Sequence, residues 1–226
     1  MIVESMTPTE VYRELERDRE AVTRWWRHNL ESQRRLVLKS TSFPLQLWFE
    51  HTSPRKNRYL FFTRIFDKRM KRILTGIGAI RHTQEGLTVY TNWLGDQKLI
   101  QPMVLTPHVW KRYQDPDRGN VQKSGIELVK HYFLHNSHGK DTDNQRVMAK
   151  SVRYNGEEHL ANCVNDGVLL GQVVDGIFIV RTFITYDMCS GLQSKEFGQC
   201  REQILTDREM YDAAKACYMP TSPYLE

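Results

Sequence analysis

Residues 106–118 read TPHVWKRYQDPDR, a run whose side chains suit the handling of a phosphate. Thr106 and Pro107 signal a helix start, with a hydroxyl at the N-cap position and a proline at the first helical one. His108 then falls in the first turn, Arg112 lies one turn later on the same face, and Arg118 sits in the loop beyond. Unpaired N–H groups and the positive dipole end of a helix start favour an anion there. Imidazole titrates near about 6.5 and can give or take a proton, while guanidinium grips phosphate by charge-assisted hydrogen bonds. The plain alternative is a solvated basic helix, in which His108 caps its own helix and Arg112 pairs with Asp115 or Asp117.

A second stretch, IFIVRTFITYDMCSGLQSKEF at 177–197, carries the matching half. Arg181 and Thr182 interrupt an apolar strand and point to opposite faces. Arg181 could equally neutralise Asp187 or Glu196. Cleaving RNA without a metal requires a base for the 2′-hydroxyl proton, cations for the phosphorane charge and an acid for the leaving oxygen. His108, Arg112, Arg118, Arg181 and Thr182 are the candidates for that work. Tyr113, Gln193 and the basic hairpin carrying Arg64, Lys68, Arg69, Lys71 and Arg72 are candidate substrate contacts. Basic residues at a hairpin tip also serve simply to discourage edge pairing.

Other chemistries have thinner support. HYFLHNSH places His131 and His135 at i and i+4, where one helix face can offer two metal ligands. Tyr132 stands where a zincin has glutamate, and no spacing fixes a third ligand among His138, His159 and Cys163. A metal-dependent hydrolase on His131 and His135 is therefore an alternative, and no cofactor is expected. TGIGAI at 75–80 lacks the third glycine and following helix of a dinucleotide loop, so a strand bulge is expected there. No GxSxG elbow is present. Cys163, Cys189, Cys200 and Cys217 form no CxxC pair, and all four are expected reduced and non-catalytic.

These residues must be positioned by a particular order of elements. Thr7-Pro8-Thr9-Glu10 reads as a capping box, followed by Val11, Leu15, Val22, Trp25 and Trp26 at helical spacing. That long helix, with Arg13, Arg17, Arg24 and Arg27 on other angles, is either a basic arm or an amphipathic helix docked by its tryptophans. A break is expected near His28-Asn29 before a continuation through Arg34, Arg35 and Leu38. From Phe43 short β-branched and aromatic runs arrive in hairpin order, FPLQLWFE, RYLFFTRIF, ILTGIGAIRH and LTVYTNW. Helices are expected from Thr106 to Tyr113 and from Ser124. Strands return at VRYN, GVLLGQVV and IFIVRTFIT, with an Asp175-Gly176 turn between the last two. Further helices are expected from Asp187 and Asp207. Hairpin runs without βαβ alternation imply an α+β fold with predominantly antiparallel strands packed against helices.

The chain of 226 residues has a net charge of +5, which favours anionic partners. RNA is the expected partner, with an acidic protein or inhibitor as a further one, and a non-catalytic nucleic-acid- or acidic-protein-binding module is the chief alternative to an enzyme. No apolar run approaches the ~20 residues of a membrane span, and the polar start is unlike a signal peptide, so a cytoplasmic protein is expected.

The run TPHVWKRYQDPDR, the following helix, the strands ending in VRTFIT and the helix carrying Gln193 together resemble the metal-independent ribonuclease superfamily. That grouping joins barnase, EndoU, the colicin ribonucleases and RelE toxins, and includes phage-associated branches. The resemblance covers about residues 104–197. It implies an antiparallel sheet packed on helices, with a histidine or arginine of the helix facing a strand arginine or threonine. It also divides the chain into an N-terminal helix plus meander over 1–95 and a RelE/EndoU-like α+β unit over 96–226, or makes these one continuous domain.

Overall fold

The computed structural model describes residues 1–70, 73–91, 101–114, 122–136, 149–154 and 157–217, with backbone alone for 74, 149–154, 157–159 and 207–217. Helix α1, Pro8–Ser32, starts on a full capping box: Thr7 Oγ accepts from the Glu10 N–H, and the Glu10 carboxylate accepts from the Thr7 N–H. Val11, Leu15 and Val22 are wholly buried, while Arg13, Arg17, Arg24 and Arg27 are exposed. The helix is docked by its aliphatic stripe, and Trp25 adds a stack on His51 at 4.1 Å. The break comes at Gln33, not at His28-Asn29, and α2, Arg34–Lys39, turns Val37 inward.

Strands β1 Leu45–Thr52, β2 Arg58–Ile65, β3 Ile73–Thr83 and β4 Gly86–Thr91 form the expected antiparallel meander. Gly76 and Gly78 lie opposite Phe62 and Leu60 in unbroken register, so the bulge expected at TGIGAI is not there. Gly78 has a packing reason instead, since a Cβ would stand 2.8 Å from Val89 Cγ1.

Next come β5 Met103–Leu105, α3 Pro107–Gln114, α4 Gly125–Asn136, β6 Ala149–Tyr154, β7 Glu157–Val164, β8 Gly167–Val174 and β9 Ile177–Ile184. Asp175 and Gly176 both have positive φ in the β8–β9 turn, the conformation an Asp-Gly hairpin turn demands. All described strands join one sheet of order β1-β2-β3-β4-β5-β9-β8-β7-β6. Only the β5–β9 pair is parallel. The fold is α+β with a mostly antiparallel sheet, continuous across residue 95 through β5. A 3₁₀ turn at Tyr186–Met188 precedes α5, Leu192–Cys217, which runs straight through Asp207, where a separate start was expected.

Alternation along the strands splits the core between two sheet faces. On one, α3 and α4 cover Leu60, Ile80, Val89, Leu105, Phe178 and Val180. On the other, α1 covers Tyr59, Phe61, Ala79, Tyr90, Ile177 and Ile179, with α2 over Ile65 and α5 over Val168 and Ile184. Helices on both faces bury the central strands completely, which explains why β2 reads as a nearly unbroken apolar run.

A knot of buried charge ties α1 to the β1–β2 loop. Glu14, 3% exposed, accepts from Arg55 Nε and Nη2 at 2.8 Å each, and the Met1 ammonium lies 2.5 Å away. The Arg55 hydrogen bonds, with the ammonium, hold the Glu14 carboxyl at about 2 against an ordinary 4.5. A depressed folded-state value means the stabilisation is complete above the ordinary carboxylate range and is lost as pH falls towards 2. Thermal unfolding followed from pH 6 to pH 2 should show a steep decline that Glu14→Gln flattens. An unchanged slope in that variant would remove Glu14 from the account.

Candidate functional site

The α3 helix is positioned by three contacts at its start. β5 runs parallel to β9, with Leu105 opposite Val180, which leaves Thr106 beside the next strand residues. The Thr106 hydroxyl donates to the Val180 carbonyl at 2.9 Å. At the β3–β4 turn, Gly86 with φ +134° lets Pro107 approach so closely that an added Cβ would lie 3.3 Å from it. Val109, Trp110 and Tyr113 are buried against the sheet, which leaves His108 exposed and Arg112 half-exposed on the opposite flank.

His108 and Arg112 touch. Arg112 Nε donates to His108 Nε2 at 3.3 Å, the i,i+4 contact that helix geometry offers. Because guanidinium has no acceptor, the imidazole takes this bond on a lone pair and carries its proton on Nδ1. The pair thus presents an imidazole N–H and the remaining guanidinium N–H groups at a helix start. That is a donor set for phosphoryl oxygens.

Arg181 is placed by a β-bulge. Gly171 pairs with Val180 and Leu170 with Thr182, so Arg181 is the extra residue of β9 and is exposed. Gly171 is required there, since a Cβ would meet Ile179 O at 2.0 Å. The bulge resets the alternation: Phe178, Val180 and then Phe183 face α3 and α4. Thr182 consequently shares the α5 face with Ile184. The structure therefore brings Arg181 to the α3 start but turns Thr182 away from His108 and Arg112. The sequence places Arg181 and Thr182 on opposite faces without saying which faces α3, and the bulge decides it.

The remaining candidates scatter. Gln193 is exposed in the first turn of α5, its N–H donating to Ser190 O at 3.2 Å. Arg64 lies over the Phe62 ring at 5.3 Å and reaches the Leu134 carbonyl of α4. Lys68 and Arg69 are exposed on the β2–β3 turn, with β4 and β5 lying between β3 and β9. Arg118, Lys71 and Arg72 lie outside the described residues, as does the His138 offered as a metal ligand.

Tyr113 belongs to a second cluster, beneath α3. Its hydroxyl donates to Asp166 Oδ2 at 2.8 Å and faces His131 Nδ1 at 3.1 Å. Asn136 Nδ2 donates to the same carboxylate oxygen at 2.9 Å, and the Asp166 N–H donates back to Asn136 Oδ1 at 3.0 Å. His131 and His135 stack with ring centroids 4.2 Å apart instead of converging on a point. Among the described residues no group of three His, Cys, Asp or Glu side chains could hold a metal ion. Burial, helped by His135 and Lys123, lowers the His131 value, while Asp166 raises it. Burial pushes Tyr113 upward, with the Asp166 charge adding to it.

No family model matches the chain, and neither does any curated protein or solved structure. Sequence reasoning singled out Tyr113 and the two histidines but passed over Asp166 and Asn136. Asn165-Asp166-Gly167 is a visible turn signal between two apolar runs, yet nothing in it announces that the aspartate reaches Tyr113, 53 positions earlier. Among the described cysteines, Cys163 is buried beneath α5, Cys200 is buried on the inner face of α5, and Cys189 is half-buried. Among the described residues, no helix is long and apolar enough to cross a membrane.

Proposed function

We propose that this protein cleaves RNA without a metal ion, gripping the scissile phosphate at the junction of α3 and β9. One observation carries the reading. The Thr106–Val180 hydrogen bond clasps the helix start to the bulged strand, so an exposed His108–Arg112 pair and an exposed Arg181 lie at one junction. Donor groups on His108, Arg112 and Arg181, on a helix start and the strand it is clasped to, suit a dianionic phosphorane more than a neutral ligand. The antiparallel strands β6 to β9 with helices packed on them are in keeping with the ribonuclease resemblance, which implies an antiparallel sheet packed on helices. A phosphate would accept from the His108 Nδ1–H and from the Arg112 N–H groups left free by the Arg112–His108 contact, and Arg181 would add charge from the strand side. A cytoplasmic setting and an acidic protein inhibitor on the same basic junction fit this reading.

Incubation with mixed-sequence RNA in EDTA is the deciding experiment. Cleavage that persists in chelator is expected. Salt-sensitive binding without cleavage would leave only a nucleic-acid-binding module. Cleavage abolished by EDTA and restored by zinc or manganese would move the chemistry to His131 and His135.

A further inference from the structure

The sheet has two end strands, and they are finished differently. β6, reading AKSVRY, carries Lys150 and Arg153, residue types that discourage pairing at a sheet edge. β1, reading LQLWFEHT, has no lysine, arginine or proline among its 8 residues and no bulge in its register on β2. Among the described residues no strand pairs with its outer side. We propose that this edge is a dimerisation surface, on which β1 of a second copy of the chain pairs antiparallel about a two-fold axis at Trp48.

The β1–β2 turn fixes which main-chain groups point outward. The Ser53 N–H donates to the Asn57 carbonyl at 2.9 Å. In an antiparallel ladder, successive residues alternate between bonding to the neighbour and facing away from it. Every second residue back from Ser53 therefore bonds to β2, and the N–H and C=O groups of Gln46, Trp48, Glu50 and Thr52 point out of the sheet. Those four residues form an unused half-ladder in unbroken register.

The side chains along this edge are incompletely covered. Leu45 and Leu47 pack on the cluster beneath α2, and Phe49 packs on the one beneath α1. On the other sheet face Trp48 lies against Phe62, ring centroids 4.7 Å apart. All four are only half-buried, because the sheet ends beside them. Burying their open flanks would contribute to association, as would the main-chain bonds.

The sequence of β1 selects a second copy and a register. A two-fold axis perpendicular to the sheet keeps each face on its own side, so even residues meet even ones and odd meet odd. A centre at Trp48 sets Gln46 opposite Glu50 of the second copy, Leu47 opposite Phe49, and Trp48 opposite itself. Gln46 can then donate its amide to the carboxylate, while Glu50 keeps its ion pair with Lys130 at 3.4 Å. The apolar residues meet one another, the cross-strand pairing that stabilises sheets. Main-chain bonds are exchanged by Trp48 with itself and by Gln46 with Glu50 on either side, about six in all. A centre at Phe49 would set Glu50 against the Trp48 indole, and one at Glu50 would oppose two carboxylates. A centre at Leu47 would leave Glu50 and His51 opposite residues that precede the strand. The surface is separate from the α3–β9 junction, with β2, β3 and β4 between them, and does not depend on the RNA reading.

Sedimentation velocity of the full chain across the micromolar range tests this, with Gln46→Pro, Gln46→Glu and Gln46→Lys run beside the parent. Gln46 is exposed and its N–H points away from β2, so the variants should fold like the parent, which thermal unfolding at low protein concentration checks. The parent should pass from monomer to dimer and stop there. Gln46→Pro deletes an outward N–H on each side of the axis and should abolish the dimer. Gln46→Glu sets carboxylates opposite each other twice and should weaken it roughly two- to thirty-fold, whereas Gln46→Lys, facing Glu50, should tighten it by a similar factor. A parent that stays monomeric, or that grows without limit as head-to-tail β1–β6 pairing would, overturns the proposal. A dimer that Gln46→Pro leaves intact overturns it too. A dimer that responds alike to Gln46→Glu and Gln46→Lys overturns the register centred on Trp48.

Discussion

His108→Ala should lower RNA cleavage by about two to four powers of ten, the usual scale for a group that handles protons or charge in the transition state. The loss has two sources. The imidazole N–H that would meet a phosphoryl oxygen disappears, and the Arg112 guanidinium loses the acceptor that holds it at the helix start. Arg112→Lys should also be damaging, since an ammonium has no planar fork with which to grip phosphate and steady the ring together. Because His108 is exposed, its loss should leave stability within about 0.5 kcal/mol of the parent, so a rate effect cannot be ascribed to unfolding. Single-turnover kinetics beside urea unfolding measures both. Two variants that cut RNA at the parental rate would remove the α3 start from the chemistry.

The largest effect on stability should come from a residue with no part in that site. Asp18 is 1% exposed and its Oδ2 accepts from Ser53 Oγ at 2.6 Å, Asn57 Nδ2 at 2.7 Å and the Tyr59 hydroxyl at 2.7 Å. Arg55 Nε stands 4.0 Å from the other oxygen. Three donors, two in the β1–β2 loop and one on β2, are thus satisfied by one atom of α1. Asp18→Ala leaves them facing an apolar methyl in a site closed to water, and each buried unpaired donor costs about 1–3 kcal/mol. The sum is not additive, and a loss of about 3–5 kcal/mol is expected, the range found when one partner of a buried charged network is removed. Asp18→Asn keeps an acceptor but turns an amide N–H towards the same donors, so it should fall in between. Denaturant unfolding of the three proteins gives the comparison, and a loss under 1 kcal/mol for the alanine variant would mean that water or rearranged side chains replace the carboxylate.

What the sequence revealed depended on how far apart the interacting groups lie along the chain. The Thr7–Glu10 capping box and the Asp175-Gly176 turn act within three residues, and both were legible. Hairpin strands were legible as short β-branched and aromatic runs separated by turn residues. β5 and β7 were not: β5 is three residues long, and β7 begins with Glu157, Glu158 and His159, which hide its apolar end. The Asp18 knot escaped because its partners are 35 to 41 positions away and Asp18 reads as one more charge on a charged helix. The candidate site was half legible. His108, Arg112 and their helix start could be read from local signals, whereas the bulge at Arg181 follows from how Gly171 lets two strands close. That closeness leaves a glycine in the sequence but no instruction about which face Thr182 takes.

β5 also governs the order in which this protein can come into being. Among the described strands, every ladder but one joins strands consecutive in the chain, so those pairings close short loops and can form early. The exception is β5 on β9, where Met103 meets Phe178 across 75 positions. Closing so long a loop for a three-residue pairing is entropically demanding, and such contacts form late in folding. That same pairing sets Thr106 against Val180 and so brings the α3 start to Arg181. A nascent or half-folded chain can own both meanders and still lack the junction. If the junction acts on RNA as proposed, that activity would arise only once β5 has paired with β9.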